Sequence, residues 1–419
     1  VTRLRRLTAP GKSVNAQSES EHSSPYVWVD NQDAFEELIL RAVNAGRVGL
    51  DTEFHRERTY WPKVALIQLR VGNDTFLVDP LKVDLAPFSE VLRSDAVLVM
   101  HAASQDIEVL QRACGVGPRN LFDTQLVAGF TGMSTPSLSA LVERYVGVRL
   151  AKGDRLTDWF ERPLRKNQQD YAANDVRYLF EVHDRLVSEL QTRNRLDWAL
   201  LECQLLQEKV KPSVSPELAW TRIKEARHLK GKSRCVVSVL ARWRETTAQR
   251  KDVPVRFVLS DLALVGIAQR APASLKELQT IRGLDSRSLN HALAQELLGL
   301  VAEGLKMSAD EVATLEVDDG PKLGNEMRAA VNLVSAWISQ VAKDEALDPA
   351  LLATRSDIND LLRGAENPRL ATGWRADLVG TRIRDLVEGR ASLAFDTRGG
   401  LLLEPRSAYV GENKDNFER

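Results

Sequence analysis

Cysteine is scarce in this chain. Its three residues, Cys114, Cys203 and Cys235, stand far apart in 419 positions and form no CxxC pair. That sets aside a disulfide scaffold, a structural zinc site and a cysteine nucleophile, and it is the usage of reduced thiols in a cytoplasmic protein. Long apolar runs are missing too. No stretch approaches the roughly twenty apolar residues of a membrane span, and none has the form of a signal peptide. An excess of one charge is also absent: 57 Lys and Arg balance 58 Asp and Glu, which argues against a uniformly basic nucleic-acid coat. What remains is ordinary globular material, 43% apolar and 27% charged. The length predicts roughly two to four domains, each with its own core.

Charge is distributed unevenly. Between Pro216 and Lys251 ten Lys or Arg face three Glu, a local balance compatible with phosphate contacts and also with a plain solvated helix face.

The order of patterns divides the chain. Residues 1–24 have few apolar positions and no periodicity, and are expected to be a disordered leader. Tyr26–Val29 alternates like a strand, and Phe35, Leu38, Ile39 and Ala42 recur at helical spacing. A strand from Val48 to the acidic pair at Asp51 and Glu53, then strands at 64–69, 75–78 and 97–100, follow, the mark of an α/β layer domain. From about Leu121 to residue 210 the pattern is helical, with Ala172, Val176, Leu179 and Leu186 as one apolar stripe. Beyond Lys211-Pro212 two helical blocks are expected, 213–306 and 320–391, joined by the linker DDGP, with 392–419 as a tail.

Chemistry starts at the end of the strand around Leu50. Asp51 and Glu53 are two apart on it, so both carboxylates point to one face. Paired carboxylates repel unless a cation lies between them, and a divalent metal is the usual answer. The strand Val97–Met100 ends at His101, with Ser104 as a candidate helix cap and Asp106 in the first turn. Tyr171 and Asp175, four apart in YAANDVRYL, share a helix face separate from the apolar stripe. Singly, each has a bland reading as a dipole-complementing or solvated residue. Together Asp51, Glu53, Asp106 and Asp175 offer the oxygen-rich ligands that two Mg²⁺ or Mn²⁺ ions prefer, and such ion pairs hydrolyse phosphodiesters.

The order DTE, HAxxxD, YxxxD resembles the tyrosine branch of the DEDD 3′-to-5′ exonucleases. The longer stretches DTEFHRERTYWPKVALIQL, HAASQDIEVL, FDTQLVAGFTG and KGDRLTDWFERPLRKNQQDYAANDVRYL resemble the ribonuclease D family over residues 26–205. The resemblance implies a ribonuclease H-like α/β exonuclease domain over 25–210. It also implies that Asp51, Glu53 and Asp175 hold one cation, that Asp51 and Asp106 hold the second, and that Tyr171 positions the attacking water. His101, Tyr60 and Trp61 are candidate substrate contacts, the two aromatics as stacking platforms. Asp123 reads as a helix cap; Lys152, Arg155 and Arg162 are minor candidates for phosphate.

The segment VVSVLARWRETTAQRKDVPVRFVLSDLALVGIA followed by IRGLD resembles an HRDC module, and 320–391 a more diverged copy, both all-α. Arg242, Arg244, Arg250 and Lys251 are the candidate phosphate contacts there. The implied partner is an RNA 3′ end, tRNA precursors above all, with no membrane and no obligatory protein partner. A DNA exonuclease with the same ligands, or a non-catalytic RNA adaptor, remain the competing readings.

Overall fold

The computed structural model describes residues 26–150, 157–209, 215–284, 289–308, 311, 323, 324 and 327–406. The expected leader, Lys152, Arg155 and the end of the tail therefore lie outside the described residues.

A six-stranded mixed sheet organises the first half. Its strands are β1 Tyr26–Val29, β2 Arg47–His55, β3 Lys63–Val71, β4 Asp74–Val78, β5 Val97–Met100 and β6 Leu121–Asp123, in spatial order β1-β4-β3-β2-β5-β6. β2 runs antiparallel to β3 and parallel to β5. The strand β6 was not anticipated. Three residues, LFD, are too short to show alternation, and they pair in parallel with β5.

The alternation along β2 separates two cores. Val48 and Leu50 join Ile67 and Leu69 against α1 (Gln32–Val43), α2 (Phe88–Arg93) and α3 (Ser104–Cys114). The opposite face carries Asp51 and Glu53. It is covered by the sequence after β6, through α4 (Thr124–Ala128), α5 (Leu138–Val146), α6 (Lys166–Arg177), α7 (Leu179–Thr192) and α8 (Leu196–Lys209). The long helical stripe is two helices, broken at Tyr178.

The block after residue 215 is helical, as expected. A core of Trp220, Val236, Leu240, Leu264 and Leu297 holds α9 (Gly231–Lys251), α10 (Val255–Val258), α11 (Asp261–Arg270), α12 (Leu275–Leu278) and α13 (His291–Lys306) together. The last block, opened by α14 (Met327–Asp344), shares a core with α7 and α8 of the first domain. A buried ion pair joins them: Arg375 Nη1 lies 2.5 Å from Glu202 Oε1 on α8, and Arg369 reaches the other oxygen at 3.2 Å. The expectation of a tail is corrected over residues 392–405. Ala391–Phe395 (β7) and Leu401–Pro405 (β8) form an antiparallel hairpin packed on this block, which is therefore not purely α. Leu401 and Leu403 lie against the shared core, which explains the apolar positions there.

Candidate active site

β2 delivers two carboxylates and α6 a third. Asp51, Glu53 and Asp175 each place a carboxylate oxygen so that all three lie within 4.8 Å of one another. Two local features mark this part of the strand. At Gly49 a Cβ would stand 2.9 Å from the Cβ of its cross-strand partner Arg70, closer than a side chain allows without a shift. After Glu53 the β2–β3 register shifts, with Glu53 opposite Leu66 and Phe54 opposite Val64. Such a bulge bends a strand and re-aims its side chains. The carbonyl of Ala65, the residue left over, accepts from Arg162 Nη2 at 2.7 Å. Arg162 is further held by two 2.8 Å bonds to the buried carboxylate of Asp79, so its guanidinium braces the bulge rather than reaching for phosphate.

Asp106 arrives from the other side of the sheet, on the first turn of α3. It is not within the 4.8 Å group. Thr52, between the two acidic residues of β2, points toward it and donates its hydroxyl to Asp106 Oδ1 at 2.5 Å. The sheet edge thus holds three carboxylates on one face and a fourth tethered from the other. Ser104 does not cap α3. The cap position is Ala103, and the Asp123 carboxylate does the work instead, accepting from Ala102 N at 3.0 Å and Ala103 N at 2.9 Å. Ala102 has φ +57°, a left-handed conformation that a residue with a side chain adopts only when held. Asp123 also caps α4 through Gln125 N and Leu126 N, so one carboxylate clamps two turns.

The electrostatics follow from like charges crowded at a half-buried place. Burial, then the charges of Asp106, Asp175 and Glu53, raise the Asp51 carboxyl well above its ordinary range. Glu53 is pushed up to about 8 by burial, with Asp175 and Asp106 adding. Burial raises Asp106 to about 6, and the Thr52 hydrogen bond offsets part of that rise. Hard carboxylate oxygens at this spacing suit Mg²⁺ or Mn²⁺.

Tyr171 lies one turn before Asp175 on α6, its ring tilted against Trp159 at 6.2 Å between centroids. The substrate candidates are more dispersed. His101 is tied internally, its Nδ1 2.9 Å from Thr124 Oγ1, and burial lowers its pKa. Tyr60 and Trp61 form the joint to the second domain. The Tyr60 hydroxyl donates to buried Glu245 and accepts from Gln249, while Trp61 N donates to Asp252 Oδ1 at 3.1 Å. Arg112 stacks over the Trp61 ring at 4.0 Å. Arg244 is corrected as a phosphate contact: it is buried, 2.6 Å from Asp261 and bonded to the Leu259 carbonyl. Arg242 pairs with Glu303 at 2.6 Å on the surface, and Arg250 and Lys251 are exposed at the end of α9. Gln68 was overlooked in the sequence. It stands on β3 directly opposite Asp51, wholly buried, and its signal was a lone amide inside VALIQLRV.

Known proteins resemble this chain over most of its length. Residues 26–191 match the family described as 3′-5′ exonuclease, and residues 233–301 match the HRDC domain. Ribonuclease D of Escherichia coli is 34% identical over 375 residues, covering 87% of this chain and 98% of that protein. The chain belongs to the ribonuclease D family. The Sphingobium indicum ribonuclease D is 31% identical, covering 88% of this chain and 96% of its own. The crystal structure of Escherichia coli RNase D, described as an exoribonuclease involved in structured RNA processing, superposes with a TM-score of 0.79 at 33% identity. That match covers 87% of this chain and 99% of the other. The catalytic core of RRP6 from Trypanosoma brucei gives 0.56 at 26% identity, over 68% of this chain and 81% of its own. Membership makes the protein a 3′-5′ exoribonuclease of a divalent-metal fold. Among the described residues no helix is long and apolar enough to cross a membrane.

Proposed function

We propose that this ribonuclease D family member hydrolyses RNA 3′ ends to nucleoside 5′-monophosphates with two divalent cations, and that it trims the 3′ trailers of tRNA precursors in the cytoplasm. The observation that carries the reading is the convergence of Asp51, Glu53 and Asp175 within 4.8 Å, with Asp106 held at the same strand by Thr52. Asp51, Glu53 and Asp175 would hold one cation, and Asp51 with Asp106 the other. When bound, the two cations supply Lewis acidity to the attacking water and to the leaving 3′ oxygen. Tyr171, one helical turn before Asp175, orients that water through its hydroxyl. Its own acidity is too weak for it to be the principal base, since free tyrosine titrates near 10. Thr52 holds Asp106 by one oxygen, which keeps the carboxylate from rotating away from the strand.

The exposed Arg250 and Lys251 supply phosphate contacts beside the joint that Tyr60 and Trp61 make with α9. The last block is a diverged second HRDC copy extended by the β7–β8 hairpin. The proposal is tested by a degradation time course on tRNA precursor, mature tRNA and unstructured RNA, with and without Mg²⁺ or Mn²⁺. Expected are metal dependence, 5′-monophosphate products, faster trimming of the precursor and a requirement for a free 3′-hydroxyl. Equal rates on 3′-blocked RNA would overturn the direction, and full activity in Asp175→Ala would overturn the ligand set.

A further inference from the structure

Strand β3, KVALIQLRV, carries one amide among its buried apolar residues, with charge only toward its ends at Lys63 and Arg70. Gln68 is 0% exposed, and neither its Oε1 nor its Nε2 has a hydrogen-bond partner among the described residues. Buried primary amides are nearly always bonded, because an unmet donor and acceptor each carry a desolvation penalty that leucine of similar size would not. An amide in this condition has a use that the protein groups alone do not show.

Its place in the sheet says where it points. Gln68 is the directly opposed partner of Asp51 across β2–β3. Opposed residues of antiparallel strands project from the same face with Cβ atoms roughly 5 Å apart. That face also carries Glu53 and is roofed by α6, the helix that brings Asp175. The amide therefore stands beside the carboxylate assigned to both cations. A carboxylate that serves two ions needs its orientation held, and a neutral donor can set that rotation. Lysine or arginine in this place would compete with the cations, and glutamate would add another negative charge to a crowded set. Glutamine is the residue that orients without changing the charge.

We propose that Gln68 is a positioning residue of the loaded site, its Nε2 donating to the Asp51 carboxylate and setting its orientation toward the two cations. The inference rests on the ligand reading above. The test is Mn²⁺ binding by full-length protein, followed by calorimetry and by the electron paramagnetic resonance signal of free Mn²⁺, with Gln68→Leu and Gln68→Met beside the parent. The substitution removes donor and acceptor at nearly constant size. Expected are a melting temperature in chelator equal to or above the parent's, and Mn²⁺ affinity weakened about tenfold or more, as for other groups that orient metal ligands. On RNA, kcat should fall with little change in KM. Parent-like Mn²⁺ affinity would overturn the proposal. So would a lowered melting temperature in chelator, since the amide would then be structural. Asp51→Asn is run alongside: if it leaves Mn²⁺ binding intact, the ligand reading has failed rather than the role of Gln68.

Discussion

Replacing Asp51 by asparagine should stabilise the cation-free protein while removing its activity. Asp51 shares a 4.8 Å neighbourhood with Glu53 and Asp175 and also feels Asp106. Two full charges at that separation repel by about 3.5 kcal/mol at an effective permittivity of about 20. Protonation relieves part of this, because Glu53 titrates at about 8 instead of 4.5. A carboxyl raised on folding makes the folded chain hold more protons, so its contribution is full below pH 4.5 and is lost as pH rises through 8. The gain from Asp51→Asn in chelator should therefore be small at pH 6 and reach roughly 1–3 kcal/mol at pH 9. At about 2–4 °C per kcal/mol for a domain of this size, calorimetry would read a rise of several degrees. Saturating Mn²⁺ should reverse the order, since the parent binds it and gains by mass action while the variant loses a ligand. A variant less stable than the parent in chelator at pH 9, or a difference independent of pH, would refute the reasoning.

Other perturbations follow from the same geometry. Because Glu53 and Asp106 titrate at about 8 and about 6, Mn²⁺ must displace protons at pH 7, so its affinity should rise from pH 6 to pH 8. Calorimetry in buffers of different ionisation enthalpy would count those protons, and an affinity flat with pH would contradict the cluster's electrostatics. Gly49→Ala brings a Cβ to 2.9 Å from Arg70 Cβ on the paired strand β3, beside the acidic end of β2. The expected result is roughly 1–3 kcal/mol of lost stability with reduced kcat, read by denaturation and a nuclease assay. Burial drives the Glu202 carboxyl up, yet Arg375 and Arg369 outweigh it and leave it below its usual value. Arg375→Ala leaves the buried Glu202 carboxylate with Arg369 alone, and roughly 3 kcal/mol should be lost at pH 7. The pair's contribution should fade as pH falls below the ordinary carboxylate range, because Glu202 is then protonated.

The sequence carried the chemistry of this site in legible form. Asp-x-Glu on a strand places both carboxylates on one face because side chains alternate, and Tyr171 with Asp175 share a helix face because four residues make about one turn. The motif order, with its resemblance to ribonuclease D, supplied the exonuclease and HRDC readings. Periodicity says which side of its own element a residue faces; it does not say which element packs there. Only the folded chain shows that Asp106 comes from the opposite face of the sheet and is tethered by Thr52. The same limit explains Arg244, basic in the sequence but sealed against Asp261, and Tyr60 and Trp61, spent on the joint between domains. It explains β6, too short to alternate, and the β7–β8 hairpin, whose leucines look like remnants of a tail until they meet the shared core. Gln68 lies between the two cases. Its polarity within an apolar strand was visible, but its meaning depends on pairing with Asp51, a contact set by strand register across the sheet.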